Sequence, residues 1–242
     1  MEFKPEMFEV KLACEREEIA RDFFDGTADE STMSRLYRNI AKSLICRPVQ
    51  SSIFEVSRLV DSVLGAAVVL CAGKGILLET QLEGVAVVFD DMRLWELSLL
   101  TFIREVCEGF KGDCLKIVAD FSGRIFRLQI VCEKVTTDFM YSQMLVSKIG
   151  GKIVETVSGL CRSVYLLIPI NYDCAEFVHE DITQKNVYTY PCTAVEYLSD
   201  PFSIAYIALY SVCENPLFIP EWHSGVRNSK NNLIKNKKRT EI

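Results

Sequence analysis

Cysteine and histidine are the residue types in this chain that could hold a metal ion or supply a nucleophile and its base. The 242 residues include ten cysteines but only two histidines, His179 and His223. No two cysteines have the CxxC spacing that binds zinc or exchanges disulfides, and neither histidine is within helical reach of a cysteine or an aspartate. We therefore predict no metal site and no catalytic triad. We interpret most of the cysteines as small, buried, apolar side chains.

Acidic residues that could work in pairs occur at two places. Glu15, Glu17 and Glu18 lie among arginines near the amino terminus, and Asp90 and Asp91 precede a long apolar stretch. Mixed charge of the first kind is typical of a solvated helix face rather than of a catalytic carboxylate pair. An aspartate just before a helix accepts hydrogen bonds from the helix's first free N–H groups. We therefore predict that Asp90 or Asp91 caps a helix and binds no metal.

Charge and hydropathy exclude several classes of protein. The formal net charge is -6 and the isoelectric point is about 5.2, so we expect no nucleic-acid partner. The longest apolar run, from Phe202 to Cys213, is interrupted by serine and tyrosine and is too short to span a membrane. The amino-terminal residues MEFKPEMFEVK contain no apolar stretch that could serve as a secretion signal. We expect a cytoplasmic protein with reduced thiols and no membrane span.

Apolar spacing and turn residues divide the chain into four parts. Residues 1–48 predict a helical hairpin in which each helix carries a narrow apolar stripe, and such a pair could either form a dimerisation bundle or cover the main core. Residues 49–170 predict the main domain. Residues 171–224 predict an extension with a buried helix that begins at Pro201. Residues 225–242 predict a basic, flexible tail.

The main domain alternates helices with pairs of strands. A helix capped by Ser51 or Ser52 is followed by strands 76–82 and 85–89, which we predict to pair as a hairpin across Glu83-Gly84. The remaining predicted elements are a long helix over 92–107, strands over 114–120 and 125–133, a short helix over 139–149, and strands over 152–157 and 161–170. This order predicts an α+β fold: a two-layer α/β sandwich with a mostly antiparallel mixed sheet, helices on one face, and a helical hairpin in front.

Two stretches of the main domain resemble the ATP-binding fold shared by histidine kinases, gyrases and heat-shock chaperones of the ninety-kilodalton class. The family's first hairpin, its aspartate and the helix that follows are similar to KGILLETQLEGVAVVFDDMRLWELSLLTFIREV, with Asp90, Arg93 and Leu94 at the matching positions. Its closing helix, Gly-Gly pair and two strands are similar to MLVSKIGGKIVETVSGLCRSVYLLIPI. The resemblance implies a histidine-kinase-like ATPase fold of the kind used in bacterial signal transduction.

The residues with which that family binds ATP are missing. Family members hold Mg²⁺ through an asparagine on the long helix, but here Arg104 stands at the matching position, with Glu105 beside it. Arginine has only donors, whereas Glu105 could bind a cation, so these two residues are the weak candidates for a cofactor site. No Asp-x-Gly follows Lys134, and residues 135–139 offer no glycine-rich lid for phosphates. We expect no cofactor.

The family's kinases also carry a phosphoacceptor histidine on the helix pair before the ATP domain, and residues 1–50 contain no histidine. We therefore predict no catalytic residues and interpret the chain as a pseudokinase: a noncatalytic regulator in a two-component system that binds a protein partner, with a homodimer through residues 1–48. Two alternatives stay open, because a fold does not establish a function. One is a divergent ATP-binding protein or histidine kinase that uses Mg²⁺ and Glu105. The other is a scaffold protein without a signalling role.

Overall fold

The computed structural model describes residues 30–72, 75–110, 112, 114–132, 139–158, 161–170, 189–200 and 203–210. In chain order the elements are α1 (Glu30–Cys46), β1 (Ser52–Glu55), α2 (Val56–Ala72), β2 (Leu77–Glu83), β3 (Val87–Asp90), α3 (Met92–Gly109), β4 (Cys114–Ser122), β5 (Ile125–Cys132), α4 (Met140–Lys148), β6 (Lys152–Ser158), β7 (Cys161–Pro169), α5 (Ala194–Ser199) and α6 (Ile204–Tyr210). The predicted α+β class is confirmed.

A five-stranded mixed sheet forms one layer of the fold. Its strand order is β2-β4-β5-β7-β6, in which β2 is parallel to β4 and each of the other neighbours is antiparallel. The predicted hairpins β4–β5 and β6–β7 are therefore confirmed. Gly123 has a φ of 63° in the tight turn between β4 and β5, a backbone conformation that a glycine adopts without steric cost. The local turn residue thus fixes the pairing of these two strands.

The predicted hairpin between β2 and β3 is wrong. Strand β2 joins the main sheet beside β4, whereas β3 pairs antiparallel with β1, with Phe89 opposite Ile53. Residues 52–55 were predicted to belong to a helix, but they form β1, and helix α2 begins only at Val56. An apolar, β-branched sequence favours an extended chain without specifying which strand it pairs with. Here the partner of β3 lies more than thirty residues earlier in the chain.

The helices cover one face of the sheet. Along β4, Leu115, Ile117 and Ala119 are fully buried and belong to the hydrophobic core that the helices share, while Lys116 between them is exposed. This alternation is expected for a strand that is covered on one side. The predicted sandwich with helices on one face is confirmed.

Helix α3 lies at the centre of the helical layer. Every residue from Leu94 to Ile103 is buried, and α1, α2, α4 and α6 all contact the helix. A helix that is buried around most of its circumference is a core element rather than a surface helix. Asp91 caps it by accepting hydrogen bonds from Arg93 N at 3.1 Å and Leu94 N at 3.2 Å, which confirms the predicted cap. Asp90 instead accepts from the indole Nε1 of Trp95 at 2.9 Å.

The helix predicted to begin at Pro201 is described from Ile204 to Tyr210 as α6, and residues 201–202 and 211–214 of the prediction lie outside the described residues. Residues 205–209 are all buried, and α6 contacts α1, α2 and α3. The burial predicted for this helix is confirmed over those residues. Helix α5, which the sequence analysis missed, has a reciprocal capping box between Thr193 and Glu196.

Several predictions fall on residues that the structure does not describe. These are the first helix of the lead-in, the adenine-loop and lid positions 133–138, both histidines and the basic tail. The second predicted helix of the lead-in is α1, whose apolar residues Leu36, Tyr37, Ile40 and Leu44 are buried against the rest of the chain. None of the helices within the described ranges is long and apolar enough to cross a membrane.

Candidate functional site

Arg104 and Glu105, the two candidate cofactor residues, are adjacent on α3 but contact different helices. Arg104 Nε donates to Glu108 Oε1 at 2.7 Å, one turn along the same helix. The central carbon of its guanidinium lies 4.5 Å from the centroid of the Tyr37 ring on α1, which is a cation–π distance. Only 11% of the Arg104 side chain is exposed. The arginine is therefore held between a carboxylate and an aromatic ring of its own chain.

Glu105 caps helix α4. Its Oε1 accepts a hydrogen bond from Tyr141 N at 3.2 Å, and its Oε2 accepts from Ser142 N at 3.3 Å and from the Ser142 hydroxyl. These N–H groups belong to the first turn of α4, where backbone donors have no partner within the helix and where negative charge is favoured. Burial raises the pKa of Glu105, and the hydrogen bonds from Ser142 and Tyr141 oppose that rise. Both carboxylate oxygens are engaged.

Tyr37 joins α1 to α3 beside these two residues. Its hydroxyl is hydrogen-bonded to Thr101 Oγ1, which itself donates to the carbonyl of Leu97 at 2.5 Å. Because Thr101 donates its single hydroxyl proton to that carbonyl, Tyr37 is the donor in the hydrogen bond between the two hydroxyls. Burial raises the pKa of the Tyr37 hydroxyl well above its ordinary value. The tyrosine is therefore a neutral, structural donor.

Helix α4 fixes α1 in turn. Lys148, in the last turn of α4, donates from Nζ to the carbonyls of Arg47 at 2.7 Å and Leu44 at 3.4 Å, as well as to that of Ile45. These carbonyls lie at the carboxyl end of α1, where they have no partner within their own helix and a lysine side chain can satisfy them. Helices α1, α3 and α4 are thus interlocked around Arg104 and Glu105. We call this part of the molecule the closed end of α3.

The closed end does not fit Mg²⁺ with ATP. Mg²⁺ needs several oxygen ligands in octahedral geometry, and the one carboxylate at the matching place is already bonded to three donors of α4. Arg104 supplies positive charge, but Glu108 already shares it. Within the described ranges, no three histidine, cysteine, aspartate or glutamate residues come together as a metal site either.

The opposite end of α3 borders a cleft of about 790 Å³. We call it the α3 cleft: it lies between α1, the first turns of α3, and α5 and α6, and its polar lining includes Arg47, Arg93, Glu96, Cys192, Glu196 and Tyr197. No motif in the sequence predicts this cleft. The capping sequence Thr-Ala-Val-Glu at 193–196 could have indicated helix α5, which forms one wall, but no local signal places that helix beside α3.

Arg47, which lines the cleft, is paired with Asp91 at the start of α3. Arg47 Nη2 donates to both oxygens of Asp91, at 2.8 and 2.9 Å, and Gln50 N donates to Asp91 Oδ2 at 2.8 Å. Asp91 therefore caps α3 and anchors the segment after α1 at the same time. Its carboxylate is 1% exposed and paired in charge, so both residues have a structural role.

Glu96 is the second buried carboxylate of α3. The Tyr197 hydroxyl of α5 donates to its Oε1. Burial raises the pKa of Glu96, while the bond from Tyr197 and the charge of Arg93 oppose the rise. Burial, followed by the charge of Glu96, raises the pKa of the Tyr197 hydroxyl. At neutral pH the tyrosine is therefore a donor to this carboxylate.

The cysteines only partly match their predicted role. Cys71 and Cys107 are buried thiols whose sulfurs lie 3.7 Å apart between α2 and α3, as expected for small apolar side chains. Cys46, Cys114 and Cys192 are exposed, so these three do not have that role. The side chains of the other five cysteines are not among those that the structure describes.

The structure resembles catalytic domains of histidine kinases. Histidine kinase AdeS of Acinetobacter baumannii matches with a TM-score of 0.45 and 18% identity over 64% of this chain and 93% of that chain. The catalytic domain of histidine kinase ThkA matches with a TM-score of 0.42 and 13% identity over 50% and 96%. The mycobacterial sensor histidine kinase MprB matches with a TM-score of 0.40 and 10% identity over 50% and 97%. No family profile and no curated protein matches this chain. All three TM-scores lie below 0.5, so these likenesses carry no argument about activity.

Proposed function

We propose that this chain is a noncatalytic, regulatory member of the histidine-kinase-like ATPase fold, which acts in signal transduction by binding a protein partner. The observation that supports this most strongly is the state of Glu105. The one residue that could replace the family's Mg²⁺-binding asparagine caps α4 with both of its oxygens. A cation there would have to displace bonds that hold two helices together.

The energetic consequence favours the structural role. If Glu105 turned toward a metal ion, the first N–H groups of α4 would be left buried without acceptors, at a cost of about 1–3 kcal/mol each. A triphosphate would also bring several negative charges next to Glu105 and Glu108, where Arg104 is the cation on this turn of α3. We therefore propose that neither ATP nor Mg²⁺ is a cofactor.

Retention of labelled phosphate tests the noncatalytic role directly. The purified chain is incubated with γ-labelled ATP and Mg²⁺, and we expect no more label on the protein than on a heat-denatured control. Release of labelled phosphate above the rate in buffer, or label retained on the folded chain, would contradict the proposal. Either result would favour the divergent kinase or ATPase.

The proposed homodimer would have to use fewer residues of the lead-in than the whole of 1–48. Because the apolar stripe of α1 is already buried within the chain, a second subunit would have to contact residues 1–29 or another surface. We expect light scattering to give the mass of a dimer for the full chain and the mass of a monomer once residues 1–29 are removed. An unchanged subunit count would remove the basis for dimerisation through the lead-in.

A further inference from the structure

The α3 cleft contains a buried carboxylate that has no cation partner among the described residues. Glu96 is 5% exposed and lines the cleft. Tyr197 donates to its Oε1. In the part of the chain that the structure describes, no group donates to Oε2 and no arginine, lysine or histidine nitrogen lies within 4.0 Å of the carboxylate. A desolvated carboxylate with one neutral donor is costly unless a positive group pairs with it.

The other charged side chains of the cleft do not meet this need. Arg47 is paired with Asp91 through both carboxylate oxygens. Arg93 is exposed and acts on Glu96 only through its longer-range charge. Glu196 is held in its capping box, where Thr193 N donates to Oε2 at 2.6 Å. Asp200, a further acid in the lining, supplies no positive charge. The buried carboxylate that needs a positive partner is therefore Glu96.

An apolar wall lies beside this acceptor. Ile40 and Leu44 of α1, Met92 of α3 and Ile204 of α6 line the same cleft. Such a wall can take the alkyl part of a ligand while a polar group at the end of that alkyl part reaches the carboxylate. The cleft thus places a buried carboxylate beside an aliphatic surface.

We infer that the α3 cleft binds a ligand that carries a cationic guanidinium or primary amine on an alkyl stem. The cation lies against Oε2 of Glu96, and the stem contacts the wall formed by Ile40, Leu44, Met92 and Ile204. This binding does not depend on the absence of ATP chemistry at the closed end of α3.

A matched pair of probes tests the charge requirement. Butylguanidine carries the cation, and butylurea has nearly the same shape without it. We expect saturable binding of butylguanidine in calorimetry, with a dissociation constant of about 1 mM or lower, and at least tenfold weaker binding of butylurea. Equal binding of the two probes, or binding of neither at about 10 mM, would overturn the inference.

Two variants locate the bound cation. Glu96→Gln keeps an acceptor for Tyr197 and removes the charge, so we expect at least a tenfold loss of butylguanidine affinity. Asp61→Asn makes the same change at an exposed position on α2, outside the cleft, and is expected to bind as the unaltered chain does. An unchanged affinity in Glu96→Gln would overturn the assignment.

A third variant keeps the test valid if Glu96→Gln does not fold. Tyr197→Phe leaves the carboxylate in the cleft and removes the hydroxyl that donates to it, so butylguanidine is expected to bind about threefold tighter or more. Unchanged or weaker binding in this variant would place the ligand elsewhere and contradict the inference.

The same chemistry could come from a free small molecule or from an arginine side chain of a protein. An acetylated, amidated Ala-Arg-Ala peptide and its citrulline counterpart separate the two sources. Arginine peptide that binds at least tenfold tighter than butylguanidine identifies a protein side chain, and the reverse order identifies a small molecule. Both orders support the inference, and it fails if neither the peptide nor butylguanidine binds.

Discussion

The two ends of helix α3 carry the same kind of residue in two different states. At the closed end, Glu105 bonds to the backbone N–H groups of Tyr141 and Ser142 and to the Ser142 hydroxyl. At the α3 cleft, Glu96 accepts from one described donor, the hydroxyl of Tyr197, and borders open space. Both glutamates are at least nine-tenths buried, and burial raises the pKa of each. Burial and a shifted pKa therefore do not distinguish a structural carboxylate from a ligand-binding one, whereas the number of protein donors does.

The largest expected effect on stability comes from a substitution in α6, which packs against α1 in the helical layer. Leu209 of α6 is fully buried, so Leu209→Asp places an unpaired carboxylate in the core and should cost about 4 kcal/mol or more of unfolding free energy. Val195 on α5 is 74% exposed, and Val195→Asp should change that free energy by less than about 0.5 kcal/mol. Thermal and urea unfolding measure both. Equal, small losses would mean that α6 is not part of the core and that α3 is less enclosed than described.

Removing each glutamate in turn tests whether Glu105 and Glu96 contribute differently to stability. Glu105→Ala leaves the first N–H groups of α4 without acceptors and should destabilise the chain by about 2–4 kcal/mol. Glu96→Ala removes a carboxylate that has one described donor, and it should lower the free energy of unfolding by about 1 kcal/mol or less. The loss of the hydrogen bond from Tyr197 is offset because the desolvation cost of the Glu96 carboxylate is removed as well. Asp61→Ala, at an exposed position on α2, is the control for replacing an acidic helix residue by alanine. If the two buried sites cost the same in urea unfolding, the distinction between them is wrong.

A smaller effect is expected in the pH dependence of stability. A carboxyl group whose pKa is higher in the folded chain than in the unfolded chain holds its proton more tightly when folded. Its contribution to stability is therefore complete below the unfolded pKa and is lost as the pH rises through the folded pKa. For Glu96 the direction is upward because of burial. Glu96→Gln removes this loss, so the free energy of unfolding of the variant relative to the unaltered chain should increase as the pH rises from the unfolded pKa through the folded pKa.

Denaturant unfolding at several pH values measures this difference. Asp61→Asn, at an exposed position, is measured in parallel as the control for replacing a carboxylate by its amide. A difference for Glu96→Gln that falls as the pH rises would show that Glu96 is stabilised as an anion within the chain. In that case it would need no cationic ligand.

Much of the fold was predictable because its signals are local. The glycine turn at 123 specifies the β4–β5 hairpin, and Asp91 before a long apolar run specifies the start of α3. The pairing of β2 and β3 was not predictable in this way, because β-branched residues favour a strand without naming its partner. Helix α5 has six residues, too few for an apolar period, so only its capping box could have indicated it.

The helix that carries Arg104 and Glu105 was predictable, but the contacts of their side chains were not. The sequence placed both residues on the predicted long helix, and both lie on α3. The donors that engage Glu105 belong to α4, thirty-six residues further along the chain. The partner of Glu96 is Tyr197, on a short helix more than one hundred residues away. Contacts of this separation depend on how helices pack, which spacing within one helix does not reveal.

A nucleotide titration is the most direct test of whether the closed end of α3 binds ATP. Calorimetry is performed with ATP in the presence and absence of Mg²⁺, on the unaltered chain and on Glu105→Gln, which keeps one acceptor oxygen for α4. We expect no saturable heat of ATP binding for either protein at ATP concentrations up to about 1 mM, with or without Mg²⁺. Micromolar binding of ATP that requires Mg²⁺ and is lost in Glu105→Gln would contradict it, because the closed end of α3 would then be a nucleotide site.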